Sequence, residues 1–231
     1  MSATSPSEND RVTAAVITGG HHYDVVEFRR LFRELEGVDA YVQHIEDFAS
    51  GNADERARYD VIVLYCMPGG VPSAEPAAHP QRTPLAAWEG LGATSQGIVM
   101  LHHGMFAYPE WPTWKAIAGI VKKRFTYHPN ETLRVDVADP EHPISHGLRS
   151  WEMVDELYEM NEPEDDRRVI LSTDHPRSVR SIAWTGSYRN ARVFTFVSGH
   201  DSRTWQNTGF RTVLRRGIAW AAPRAYCERS G

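Results

Sequence analysis

Three apolar runs in this chain end in glycine beside histidine. Ala14 to Gly20 leads into His21 and His22, Gly97 to Leu101 into His102, His103 and Gly104, and Val193 to Gly199 into His200 and Asp201. Neutral imidazoles gathered in one place suit metal ligation, proton transfer or the orienting of a polar substrate. His21, His103 and His200, one from each run, are the candidates for catalysis and for holding a divalent metal such as Zn. His22, His102 and Asp201 are candidates for substrate binding. If the strand persists through His102 and His103, alternate residues face opposite ways and only one of the two enters a shared crevice.

A carboxylate is available to join them. In WEMVDELYEM, strand alternation puts Glu156 on one face with Val154 and Tyr158, and Asp155 on the other with Met153 and Leu157. With the first face toward the histidines, Glu156 is a candidate general base or ligand and Tyr158 a substrate contact; the alternative is a polar face in water. Tyr108, Trp111 and Trp114, from an aromatic segment with two prolines, are expected to wall the crevice, and His128 either supports that segment or reaches the site. His142, within DPEHPI, is expected to hold a proline turn.

Several chemistries are excluded by what the strand ends lack. Gly19-Gly20-His21 has neither the G-x-G-x-x-G spacing nor a Walker lysine, so it is a poor phosphate cradle. No G-x-S-x-G elbow is present. Cys66 is followed by Met67-Pro68, and proline cannot supply an oxyanion-hole N–H, which leaves Cys66 as a buried structural thiol. No H-E-x-x-H spacing strengthens the metal expectation.

The elements that must position these residues follow from apolar patterning. Val12 to Thr18, Tyr59 to Met67 and Gly97 to Leu101 read as buried strands, and Val38 to Val42 as a short strand. Asp24 caps a first helix ending near Gly37, Pro84 to Leu91 is helical, and Pro112 opens a helix with Trp114, Ile117, Ala118 and Val121 on its apolar face. Beyond residue 130 come five strand candidates with little helix between them, then a final helix capped by Asn207 or Thr208. The expected fold is α/β, a doubly wound sheet extended by antiparallel strands, whose ligand crevice lies at the carboxyl ends of the parallel strands.

With 231 residues, 41% of them hydrophobic, one domain over residues 12 to 222 accounts for the chain, between a frayed segment 1 to 11 and a tail 223 to 231. A formal charge of -5, with Lys122-Lys123-Arg124 as the sole basic run, gives nucleic acid no footprint. Two cysteines far apart, no apolar leader and no stretch near ~18 uninterrupted apolar residues point to a cytoplasmic protein with no membrane partner. An exposed antiparallel edge could pair two subunits into a homodimer.

Taken together, GGHHYD, YDVIVLYCMPGG, GIVMLHHG with YPEWPTWKAIAG, EHPISHGL, residues 155 to 158, and RVFTFVSGHDSRTW leading into GFRTVLRRGIAWAA resemble the ThuA-like, trehalose-utilisation family. The resemblance spans residues 12 to 222 and implies a flavodoxin-like sheet of the class I glutamine amidotransferase-like group. In that group a cysteine follows the strand corresponding to Gly97 to Leu101, where this chain has His102-His103, so glutamine amidotransferase activity is not expected. The family implies carbohydrate catabolism of a trehalose-like disaccharide or its keto-sugar derivative. A base such as Glu156 or a histidine would drive isomerisation or cleavage, with Tyr108, Trp111 and Trp114 offering flat faces to the sugar. The alternatives are a non-catalytic sugar-binding or regulatory module, and a metal-dependent hydrolase of another small molecule.

Overall fold

A computed structural model describes residues 11–75, 83–120 and 124–223. The segments expected at the two ends, Val121, Lys122, Lys123 and Cys227 lie outside the described residues. Strands β1 (Val12–Gly19), β3 (Val61–Cys66) and β4 (Gly97–Leu101) are almost wholly buried, as apolar runs covered by helices on both faces must be. β1 lies between β2 (Val38–His44) and β3, β4 follows β3, and all these pairs are parallel.

The second half contributes β5 (Thr126–Val137), β6 (Trp151–Glu159), β7 (Arg168–Ser172), β8 (Ser181–Tyr188) and β9 (Ala191–Phe196). All nine strands join one sheet in the order β2-β1-β3-β4-β9-β8-β7-β5-β6. The doubly wound sheet with an antiparallel extension is therefore present. One member of the strand-rich half sits deeper than expected: β9 runs parallel to β4 and antiparallel to β8, so it closes the parallel core. Its apolar run, again buried on nearly every residue, fits a central place and not an edge.

Helices cover the sheet on both faces. On one lie α1 (Val25–Arg33), α6 (Ser202–Gln206) and α7 (Thr208–Ala221), whose Phe28, Trp205 and Phe210 pack with Val16, Tyr65 and Leu101. On the other lie α2 (Ile45–Ser50), the single turn α3 (Ala53–Arg56), α4 (Pro84–Glu89) and α5 (Pro112–Ala118), with Phe48, Trp88 and Trp114 against Leu64 and Met100. Asp24 caps α1 by accepting from the Val26 and Glu27 N–H groups. That cap is worth about 1 kcal/mol. Burying Phe28, Leu31 and Phe32 contributes about 1.5–3 kcal/mol each, so packing and not capping holds the helix. α1 ends at Arg33, before Gly37, and the short helices α2, α3 and α6 carry too few residues for a periodic signal.

The β5–β6 ribbon decides where the site lies. β5 joins β7 only through Asp136 and Val137, and its earlier part pairs with β6 alone, with a register shift between His128 and Glu131. The free ribbon folds over the carboxyl ends of β4 and β9, where Thr204 Oγ1 lies 2.9 Å from the Val154 carbonyl oxygen.

Candidate active site

β4 stops at Leu101, and His102 opens a 3-10 turn that runs to Phe106. His102 has φ 50, a left-handed conformation that costs a non-glycine residue about 1 kcal/mol or more. Gly104 makes the sharp turn possible, since a Cβ there would collide with the Leu64 carbonyl oxygen of β3. Strand alternation therefore stops before the histidine pair, and both rings serve one site. Gly20, with φ 75, fits a second close approach: a Cβ would lie 2.6 Å from the Met67 carbonyl carbon. The double glycine thus meets the β3 loop.

His102 is fully buried, and its Nδ1 lies 2.8 Å from the Val197 carbonyl oxygen. A carbonyl can only accept, so Nδ1 carries the proton and Nε2 of the neutral ring is the lone-pair nitrogen. Around that nitrogen stand Tyr158 Oη at 2.8 Å, His200 Nδ1 at 3.3 Å and Glu156 Oε1 at 3.5 Å. Glu156 Oε1 is also 3.5 Å from His200 Nδ1. Burial works to raise the Glu156 carboxyl, but its neighbours, His102 first and then His200 and Tyr158, bring it below the ordinary carboxylate range.

These groups open onto a cavity of about 360 Å3 lined by His21, His22, Met67, His103, Phe125, Tyr127, Glu156, Tyr158 and His200. The His21 ring stacks on His103 with centroids 4.3 Å apart, and stands 6.3 Å from the His200 ring. Burial lowers the pKa of His21 and of His200, in each case with help from the neighbouring imidazoles. His103, pressed between His21 and Tyr65, is lowered to about 2, chiefly by burial. Its Nε2 donates to the Tyr65 carbonyl at 3.1 Å, and its Nδ1 has no hydrogen-bond partner among the described residues.

The structure brings His21, His22, His102, His103, Glu156, Tyr158 and His200 together and sets the other candidates apart. Tyr108 and Trp114 are core residues: the Tyr108 hydroxyl accepts from Trp88 Nε1 at 2.9 Å and Trp114 Nε1 donates to the Gly104 carbonyl at 2.9 Å. Trp111 packs on the same two rings, so this cluster supports the turn beneath the histidines and does not wall the cavity. His128 pairs with Glu159 at 2.8 Å on the ribbon, and Asp201 caps α6 while engaging Arg203. His142 does hold its turn, its Nδ1 accepting from the Ile144 N–H at 3.2 Å.

Two residues in the site's support escape a reading by strand ends. Asp155 accepts from the Gly199 N–H at 2.9 Å, the His200 N–H at 3.0 Å and Thr204 Oγ1 at 2.8 Å, which pins the loop carrying His200. Tyr65 donates to the Gly199 and His200 carbonyls from below, each at 3.2 Å. Their signal in the sequence is a carboxylate on an apolar strand face and a hydroxyl in an apolar strand, both of which must find partners when buried. Phe125 and Tyr127 supply the cavity's aromatic faces in place of the expected tryptophans.

Residues 15–221 match the family model described as ThuA, trehalose utilisation. The chain belongs to the ThuA family. No curated protein sequence matches it. Among solved structures, a protein of Bacteroides uniformis described as ThuA-like superposes with TM-score 0.70 at 17% identity, over 96% of this chain and 95% of that one. A cytoplasmic protein of Salmonella typhimurium gives 0.62 at 13%, over 90% and 98%. A Thermoplasma acidophilum protein described as one of the GMP synthase subunits gives 0.56 at 18%, over 95% and 98%. At such identities the likeness establishes the fold, that of ThuA-like and class I glutamine amidotransferase-like proteins.

In this ThuA-family chain the sharp turn after β4 presents an imidazole and no thiol. Cys66, the free cysteine among the described residues, is buried, and burial pushes its thiol up to about 12. It has no thiolate to offer an amide. No described helix is long and apolar enough to cross a membrane.

Proposed function

We propose that this protein acts in the cytoplasm on a trehalose-like disaccharide or its keto-sugar derivative, isomerising it or cleaving it by elimination in the histidine-lined cavity. The family's role in trehalose utilisation supports the substrate class, and the Salmonella neighbour described as cytoplasmic supports the compartment. The observation that carries the chemistry is the Glu156 carboxylate held 3.5 Å from two imidazoles at the wall of the cavity. That cavity, at about 360 Å3, falls at the small end of the usual range for ligand sites, roughly 300–1,000 Å3.

A ketone acidifies the hydrogen on the carbon beside it. Isomerisation and eliminative cleavage share the removal of that proton. In the first, it returns to the neighbouring carbon. In the second, the carbon–oxygen bond one carbon further on breaks and the proton passes through the imidazoles to the departing oxygen. Two groups on the wall can take it, the Glu156 carboxylate and the His21 imidazole.

Incubation with 3-keto-trehalose in D2O, followed by NMR, tests the shared step. Deuterium should enter beside the carbonyl and a new sugar should form, with both rates cut about 100-fold or more in Glu156→Gln. Neither exchange nor product from 3-keto-trehalose and related keto-glycosides overturns the reading, and saturable binding without exchange marks a sugar-binding module instead.

A further inference from the structure

We propose that His102 Nε2, Glu156 Oε1 and His200 Nδ1 form a three-ligand site for one divalent transition-metal ion, with Zn2+ the first candidate and the fourth position open to the cavity. The inference rests on the reading of this cavity as the catalytic site.

Geometry is the first support. The three atoms make a triangle with sides of 3.3, 3.5 and 3.5 Å, so a point about 2.0 Å from all three exists between them. That matches Zn–N and Zn–O bonds of roughly 2.0–2.2 Å, and the ion can sit slightly out of the plane, as a tetrahedral centre does. Among the described residues, this is the set of histidine, cysteine and acidic side chains whose ligand atoms converge.

The surroundings supply a second and independent support. A metal-binding imidazole characteristically donates its other N–H to a carbonyl or carboxylate, which fixes both tautomer and ring orientation. His102 does this through Nδ1 and Val197, while Asp155 and Tyr65 clamp the backbone of His200 from two sides. The electrostatics point the same way. Asp155 is satisfied by two backbone N–H groups and a hydroxyl, yet its neighbour Glu156, nearly as buried, meets only imidazoles as ion-pair partners among the described residues. A cation neutralises that carboxylate where no described lysine or arginine pairs with it.

Two imidazoles and one carboxylate favour Zn2+, Mn2+, Fe2+, Co2+ or Ni2+ over Mg2+ and Ca2+, which prefer all-oxygen sets. Loading requires the Tyr158 hydroxyl to yield the Nε2 lone pair it holds at 2.8 Å. The ion then polarises the substrate carbonyl from its open position, and with Glu156 engaged the base becomes His21.

Untagged protein stripped with a chelator and dialysed against Zn2+, Mn2+ or Co2+ should retain close to one ion per chain by elemental analysis. The Co2+ form should show visible d–d absorption. Glu156→Gln and His200→Gln should weaken retention by about 100-fold or more, while His146→Gln, an exposed histidine elsewhere, keeps it. Circular dichroism of each variant separates lost ligation from lost folding, and because both replaced side chains reach the cavity surface, neither variant leaves a void in the core. His21→Asn should keep the ion and lose turnover. Retention well below one ion, or retention unchanged in Glu156→Gln, overturns the site. Deuterium exchange that survives complete metal removal overturns it and spares the proposed reaction; a stoichiometric ion with no exchange does the reverse.

Discussion

Asp155 and Glu156 are neighbours in sequence with different tasks. The first spends its carboxylate on two backbone N–H groups and a hydroxyl, the second leaves its own facing imidazoles at the cavity wall. Asp155→Asn replaces a triple acceptor with a group that must turn an NH2 toward a donor. We expect it to cost about 1–3 kcal/mol in a urea melt and to lower kcat/KM about 10–100-fold by loosening His200, whereas Glu156→Gln should abolish exchange at nearly unchanged stability. The pH profile belongs to this scale as well. Burial depresses His21 and His200, so the deprotonated rings persist below their ordinary value of about 6.5. Turnover should therefore fall only on the acid side of 6.5 and stay flat through pH 7; an acid limb centred above 7 would contradict neutral imidazoles as bases. The clustered histidines were legible because strand ends carrying both glycine and histidine repeat three times, and Glu156 with Tyr158 because strand alternation pairs them. His102 as the hub was not, since its role depends on a left-handed turn that a histidine shows no sign of adopting.

The elements that matter most are the turn after β4 and the β5–β6 ribbon. Gly104 lets the turn lie against β3, and Gly104→Ala must push the two histidines away from the Leu64 carbonyl. The expected outcome is a loss of about 1–3 kcal/mol together with loss of turnover, read by calorimetry and by the NMR assay. The strands themselves were legible, because β1, β3 and β4 are continuous apolar runs. The ribbon's fold over the strand ends was not, because pairing partners separated by loops leave no local trace. The same limit misplaced Tyr108 and Trp114: aromatics after a strand end look equally suited to a cavity and to a core, and only packing against Trp88 decides.

At the scale of the whole molecule, acid stability reports on buried neutral histidines. His142 is buried away from the cavity, and burial first, then the Arg168 charge, lowers its pKa. Its folded form stays neutral while the unfolded chain takes up a proton as pH falls through about 6.5. The contribution is thus complete above that pH and drains away below it. His142→Asn retains an acceptor for the Ile144 N–H without the titration, so its urea midpoint should drop less than the parent's between pH 7.5 and pH 5. The central place of β9 also bears on how the molecule is made. His102 meets its anchor at Val197, 95 residues later in the chain. At a synthesis rate of about 5–20 residues per second, a ribosome holds the apolar edge of β4 without its partner for roughly 5–20 seconds. During that interval the edge is open to other chains, so this family member should depend on chaperones for yield, and its active site is among the last parts of the molecule to exist.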